Sequence, residues 1–272
     1  MTSSPEKKPL PTGVKSHVDM IIDISSSAAK TIMYPDAKLK AIFYLVLVTV
    51  LSAFSAYTPL KADYYLATKT NFINVFVVKL GWLWTSSILG PFIFIVSYGS
   101  VGSNAGKTIK DMSRLLIATA VWFITTTIFE TIEQNTGICT GAVGSHKKVC
   151  YNKGGTWITG VDISGHCFLI IYSSLIMTEE VTAIKNWYSK DNRHLKNVAN
   201  TLLTLIGVLD IIWIIQLVIT SLHYHTIVHK IIGAGIAVAV WFFTYRGAMS
   251  LVLPVSSSPK NKSKMVHRKK RS

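Results

Sequence analysis

Six apolar stretches dominate this chain: Ala41–Tyr57, Val75–Ser97, Leu115–Ile132, His166–Ile184, Val198–Leu222 and His225–Leu253. A bilayer hydrocarbon core takes about 20 mostly apolar residues per helical crossing. Within it, backbone N–H and C=O groups must be satisfied inside the segment, so stretches of this length cross as helices. The pattern predicts an all-α, polytopic membrane protein with six transmembrane helices. The first and third stretches are near the short end of the spanning range, and Glu179 and Glu180 interrupt the fourth. No internal repeat is visible. Residues 41–253 therefore read as one membrane domain between a polar tail, residues 1–40, and a basic tail, residues 254–272. In the first tail, Met20, Ile21, Ile24, Ala28 and Ile32 fall near helical spacing over Val18–Tyr34, as in an interfacial helix or a partly ordered tail.

The charge is lopsided, with 28 Lys and Arg against 13 Asp and Glu, a formal excess of +15. On a soluble protein such an excess would suggest nucleic acid. Here the mean hydropathy is +0.40 and the basic residues lie between long apolar stretches, so no nucleic-acid partner is expected. Three cysteines are too few for a disulfide-dense secreted scaffold.

An even number of spans puts both termini on one side. That side holds 21 of the 28 basic residues. They are the six of the N-terminal tail; Lys107, Lys110 and Arg114; Lys185, Lys190, Arg193 and Lys196; and the eight from Arg246 to Arg271. The other side holds 5, namely Lys61, Lys69, Lys147, Lys148 and Lys153. By the positive-inside rule both termini are cytosolic and the far side is lumenal or extracellular. On that far side, the loop Glu133–Gly165 contains Cys139 and Cys150, which are either a disulfide of an oxidising compartment or two free thiols. The sequon Asn261-Lys262-Ser263 falls in the cytosolic tail and is expected to stay unmodified. The final Lys269-Lys270-Arg271-Ser272 resembles a dilysine retrieval signal of the endoplasmic reticulum; a generic basic tail drawn to anionic lipid is the alternative.

Ionisable side chains at membrane depth are costly and point to function. His166 and His225 open the fourth and sixth stretches at their lumenal ends. Lys79 lies about one turn inside the second stretch and Lys230 about one and a half turns inside the sixth, both from the lumen. Glu130 and Glu133 mark the lumenal exit of the third. Two histidines, two lysines and two carboxylates thus meet in one shallow layer. Individually, each histidine could simply satisfy a helix end and each lysine could snorkel to the headgroups. Together they suit phosphoryl chemistry, with imidazoles as nucleophile and general acid and lysines offsetting anionic charge. Asp210, near the middle of the fifth stretch, is expected to face the bundle interior, paired or protonated. A metal reading uses His225 and His229 at i, i+4 with His223 nearby, but no carboxylate or cysteine has matching spacing, so no metal is expected.

Several segments carry a resemblance. Gly154-Gly155-Thr156-Trp157 precedes Asp162-Ile163-Ser164-Gly165-His166-Cys167-Phe168-Leu169. Asn71–Trp84 reads NFINVFVVKLGWLW; Ile132-Glu133 leads to Thr136-Gly137 and Cys139; and Tyr224-His225 leads to Lys230 and Gly233. In this order, from about residue 41 to 250, the chain resembles the fat storage-inducing transmembrane (FIT) family, related to the lipid phosphate phosphatases. The resemblance implies a six-span, multi-pass protein of the endoplasmic reticulum membrane; no cofactor is expected, and the charge split with the polar layer puts the active site on the lumenal face. It implies hydrolysis of fatty acyl-CoA at the diphosphate to acyl 4′-phosphopantetheine and adenosine 3′,5′-bisphosphate, in support of lipid droplet formation and membrane homeostasis.

Residue by residue, Ser164-Gly165-His166 is similar to the phosphatase Ser-Gly-His element, whose histidine protonates the leaving group. His225 is similar to the second catalytic histidine, which forms a phosphohistidine. The phosphatases carry an Arg a few residues before that histidine and an Asp four after it. Here residues 217–224 contain no Arg and position 229 is histidine; the Lys-x6-Arg-Pro element is also absent. Lys79 and Lys230 are expected to replace the missing Arg, with Glu133 or Asp162 orienting a histidine. The competing function is a non-catalytic protein that binds diacylglycerol and triacylglycerol and partitions neutral lipid into droplets. A transporter would need midplane charges or broken helices, for which only Asp210 is a candidate.

Overall fold

Short polar side chains set the helix starts by accepting from first-turn N–H groups that lack intrahelical partners. Asp36 caps α2 (Ala37–Tyr57) through Lys38 N–H at 2.7 Å. Asn104 caps α4 (Ala105–Thr136) through Lys107 N–H at 2.8 Å, and Ser164 caps α6 (Gly165–Val181) through Cys167 N–H at 3.3 Å. The computed structural model describes residues 17–58, 65, 68, 71–100, 104–144, 146–186 and 193–253. The sequon, the dilysine-like end, Lys61 and Lys69 lie outside the described residues.

The remaining helices are α1 (His17–Met33), α3 (Gly81–Tyr98), the short α5 (Lys147–Asn152), α7 (Arg193–His223) and α8 (Ile227–Val252). A π-helical turn, Ile73–Val78, precedes α3, and another interrupts α8 over Phe242–Ala248. Between α4 and α6, β1 (Ile138–Thr140) and β2 (Thr156–Ile158) form an antiparallel hairpin with Cys139 opposite Trp157. The fold is all-α apart from this hairpin among the described residues.

Among the described residues, five helices are long and apolar enough to cross a membrane: α2, α3, α4, α7 and α8. The fourth apolar stretch of the sequence becomes α6, which has 17 residues and differs in kind. Every residue from Cys167 to Val181 is buried, because α2, α3, α7 and α8 pack around it. The lipid-facing surfaces belong to its neighbours, where Ile42, Phe43, Val46, Val50 and Phe54 of α2 and Leu116, Phe123, Ile124 and Ile128 of α4 are exposed. Helix α1 lies along α7. A Cβ on Gly207 would meet Ala29 Cβ at 2.8 Å, Asp19 pairs with Arg193, and Asn197 Nδ2 donates to Asp19 Oδ1 at 2.6 Å.

The carboxylates that interrupt the fourth stretch are each matched. Arg114 of α4 grips Glu180 through Nε at 2.8 Å and a terminal nitrogen at 2.7 Å, and its other nitrogen reaches Asp111 at 2.7 Å. Arg246 Nε donates to Glu179 at 2.6 Å. Nearer the middle of α6, Lys40 Nζ donates to Asp210 at 2.6 Å and to Thr178 at 3.1 Å. Ser174 donates to the other oxygen of Asp210 and shares a 2.6 Å hydrogen bond with Tyr44. Asp210 is therefore paired. Its partner lies at the boundary the sequence suggests for the tail, because the buried lysine stem carries the charge inward.

Removing one member of a buried ion pair costs about 3–5 kcal/mol, whereas replacing both with apolar groups is often near neutral. Asp210→Leu alone is expected to lower the unfolding midpoint in detergent well below that of the pair Lys40→Met with Asp210→Leu. Equal midpoints for the single and double variants would contradict this account.

Candidate active site

The geometry starts at the N-terminus of α6. Ser164 caps it, and the Ser164 N–H donates to the His229 carbonyl on the first turn of α8 at 3.1 Å. Gly233, one turn further on, sits against the same serine: a Cβ there would approach Ser164 O to 2.5 Å. This lock brings the start of α6 onto the start of α8. It places His166 and His225, remote in sequence, with ring centroids 6.4 Å apart and planes inclined at 48°.

His225 occupies the turn between α7 and α8 with φ of +55°, the one positive value of a non-glycine among the described residues. A left-handed conformation costs such a residue of order 1–3 kcal/mol, and it clusters at functional sites where the surroundings enforce it. Its side chain is largely buried, and Nδ1 lies 3.1 Å from Asp162 Oδ2. That is an ion-pair separation, although the two groups are not aligned for a hydrogen bond. Because α8 begins only at Ile227, His225 and His229 do not share a helix face, and the i, i+4 metal spacing is not realised. Among the described residues, no group of three or more His, Cys, Asp or Glu side chains is placed to hold a metal ion.

Tyr224 steadies the turn. Its hydroxyl accepts from Asn71 Nδ2 at 3.0 Å and donates to the Thr68 carbonyl at 3.2 Å, and its ring lies 6.3 Å from that of His166. Burial pushes the Tyr224 phenol up, so it remains neutral. Asn71 is itself fixed, since its Oδ1 accepts from Asn74 N–H at 2.7 Å. The Asn71–Trp84 segment thus holds the histidine turn at one end. At the other it places Gly81 so close to α6 that a Cβ would meet Leu169 at 2.8 Å.

Both histidines line a cavity of about 520 Å³. Lys79, Glu130, Glu133, Lys147 and Asp162 complete its polar part, while Val78, Trp122, Phe123, Phe129 and Leu169 make an apolar part with Thr126 and Thr127 between. Along α4, Trp122 lies about 12 Å deeper than Glu130 at 1.5 Å per residue. The cavity therefore grades from charged to apolar along the helix axis.

Of the residues singled out in the sequence, His166, His225, Asp162, Glu130, Glu133 and Lys79 share this cavity. Ser164 is a cap and lock beside it. Lys230 is elsewhere: it is 2% exposed and its ammonium donates to the Ser221 carbonyl at 2.6 Å, closing the end of α7. Glu133 faces the hairpin rather than a histidine, accepting from Trp157 Nε1 at 3.0 Å and pairing with Lys147 at 3.6 Å. Cys139 and Cys150 form a disulfide, and Cys167 is a buried free thiol. Sequence reasoning missed Tyr224 and Lys147. The first was signalled only by its place before His225, the second only as a loop charge.

Fold and site together define a multi-pass helical membrane protein with a two-histidine cavity at the hairpin end of the bundle. The family described as fat storage-inducing transmembrane protein matches residues 62–207, more than half of the chain. The chain belongs to this family. A Caenorhabditis elegans relative named acyl-coenzyme A diphosphatase FITM2 is 34% identical over 248 residues, covering 87% of this chain and 88% of the relative. The Homo sapiens protein of that name is 35% identical over 189 residues, covering 66% and 71%. The Drosophila melanogaster one is 30% identical over 263 residues, covering 84% and 62%. No solved structure matches.

The close approach at Gly233 has a control two residues away, since Gly235 has open space around its Cβ position. Gly233→Ala is expected to lower the unfolding midpoint by several degrees. Gly235→Ala should leave it level or raise it, as alanine favours a helix interior by up to about 1 kcal/mol. Equal behaviour of the two would remove the lock between α6 and α8.

Proposed function

We propose that this protein is an acyl-CoA diphosphatase, cleaving fatty acyl-CoA to acyl 4′-phosphopantetheine and adenosine 3′,5′-bisphosphate. The observation that carries this reading is the facing pair of imidazoles, 6.4 Å apart, with Asp162 behind His225. The name of the relatives supports the substrate class.

In the proposed reaction the Asp162 carboxylate, 3.1 Å from Nδ1, favours the His225 tautomer protonated there by charge alone, leaving the Nε2 lone pair free. Nε2 attacks phosphorus, a P–N bond forms and the bridging P–O bond breaks. Protonated His166 gives its proton to the departing phosphate oxygen. Water then attacks the phosphohistidine while His166 takes its proton, and the P–N bond breaks to restore Nε2. Lys79, which lines the cavity with both histidines, offsets phosphate charge. Asp162 stands in for the Asp of the lipid phosphatases and Lys79 for the Arg, since Lys230 is committed to Ser221.

The acyl chain would lie in the apolar part of the cavity, between Trp122, Phe123 and Leu169. That part would equally accept chains of diacylglycerol or triacylglycerol, which keeps neutral-lipid binding as a second activity of the same site. We place the protein in the endoplasmic reticulum membrane with α6 as a sixth span, both termini cytosolic and the cavity lumenal. The 21-to-5 split of basic residues supports that orientation, and the expected role is in lipid droplet formation and membrane homeostasis.

Purified protein incubated with oleoyl-CoA should release adenosine 3′,5′-bisphosphate. His166→Ala and His225→Ala should lower the rate at least about 100-fold, and Asp162→Asn about 10-fold or more, without loss of folding. Rates unchanged by both histidine substitutions would leave lipid binding as the function. Orientation has a separate test. Val143 is exposed and precedes Gly144-Ser145, so Val143→Asn creates a sequon in the hairpin loop. It should be glycosylated in cells while Asn261 is not; modification at Asn261 instead would reverse the topology.

A further inference from the structure

We propose that the disulfide-closed hairpin carries a second anion subsite, in which Lys147 receives the 3′-phosphate at the nucleotide end of acyl-CoA. This deepens the reading above and rests on acyl-CoA being the substrate.

Lys147 begins α5 and lines the same cavity as the histidines, yet it belongs to the hairpin and not to the bundle. Six residues cannot hold a helix in water by themselves. What holds α5 is the bond from the wholly buried Cys150 to Cys139 on β1. Gly155 packs against that bond so closely that a Cβ would lie 2.9 Å from both sulfurs. The hairpin is in turn fastened to α4 by Trp157, which is buried and donates to Glu133. Glu133 then sits 3.6 Å from the Lys147 ammonium. One carboxylate thus anchors the cap and holds its cation beside the cavity, while the lysine side chain remains 45% exposed and open to a ligand.

Substrate polarity decides what that ligand is. The apolar part of the cavity takes the acyl end and the histidines take the anhydride, so the nucleotide leaves toward the cap. Six bonds separate the 5′-phosphorus from the 3′-phosphorus of the nucleotide. At the advance of an extended chain, about 1.2 Å per bond, that is roughly 7 Å, within the span of one cavity and a lysine stem. The two lysines of the cavity divide accordingly. Lys79, on the bundle side, meets the diphosphate, and Lys147, on the cap side, meets the terminal phosphate. A phosphate dianion carries twice the charge of the Glu133 carboxylate and draws the ammonium to itself.

The test compares oleoyl-CoA with oleoyl 3′-dephospho-CoA on the full-length protein. Both are read as release of oleoyl 4′-phosphopantetheine, so one assay serves both. Wild type is expected to favour the 3′-phosphorylated substrate about tenfold in kcat/KM, chiefly through KM, the scale of one charge-assisted contact. Lys147→Ala should bring that ratio close to one, and Lys147→Arg should keep most of it. The double change Cys139→Ser with Cys150→Ser should lower the ratio as Lys147→Ala does, because it frees α5. An unchanged ratio in Lys147→Ala, or no preference in wild type, overturns the subsite while the diphosphatase reading stands. Failure of wild type to hydrolyse either substrate overturns that reading and the subsite with it.

Discussion

A helix buried on all sides in a membrane protein cannot hand its polar groups to water, so each ionised side chain along it must meet a partner from another helix. Helix α6 is under that constraint over almost its whole length. Glu180 takes Arg114 from α4, Glu179 takes Arg246 from α8, and Ser174 joins Tyr44 of α2 to the Lys40–Asp210 pair. These contacts lie at different heights and on different sides, so they set the rotation and depth of the surrounding helices as well as that of α6. Apolar packing alone would allow those helices to slide, since lipid and leucine are nearly equivalent neighbours.

The cavity inherits its precision from this arrangement. Once α6 and α8 are in register, Ser164 can donate to the His229 carbonyl and only glycine fits at position 233. The α7–α8 turn then has to bring the chain back within a few residues, which puts His225 in the left-handed region. Tyr224, tied to Asn71 and Thr68, holds it there. Rigid elements therefore position the histidines. The hairpin adds a different kind of wall, fastened by a disulfide and by Trp157, and it is the part of the cavity that redox conditions or mutation can alter without disturbing the bundle.

Much of the fold was legible because membrane crossing is a one-dimensional problem. Length and apolarity mark the five candidate spans, and the Asp162–Leu169 and Tyr224–His225 segments mark two walls of the histidine cavity. What escaped was set by contacts between distant residues. Lys230 lies at a depth that suggests the cavity, yet a carbonyl at the end of α7 captures it. Glu133 has a carboxylate where one is wanted for a histidine, yet Trp157 and Lys147 engage it. Of the two carboxylates the sequence offers for a histidine, the one that faces it is Asp162, from the loop before α6.

The sequence by itself determined that this chain is a helical membrane protein and which histidines to examine, because hydropathy and local motifs are properties of contiguous residues. Only the tertiary structure decided which charges serve the cavity and which hold the bundle together. A lysine or carboxylate near a membrane boundary binds whichever partner the packing brings within about 3 Å, and no spacing along the chain encodes that distance.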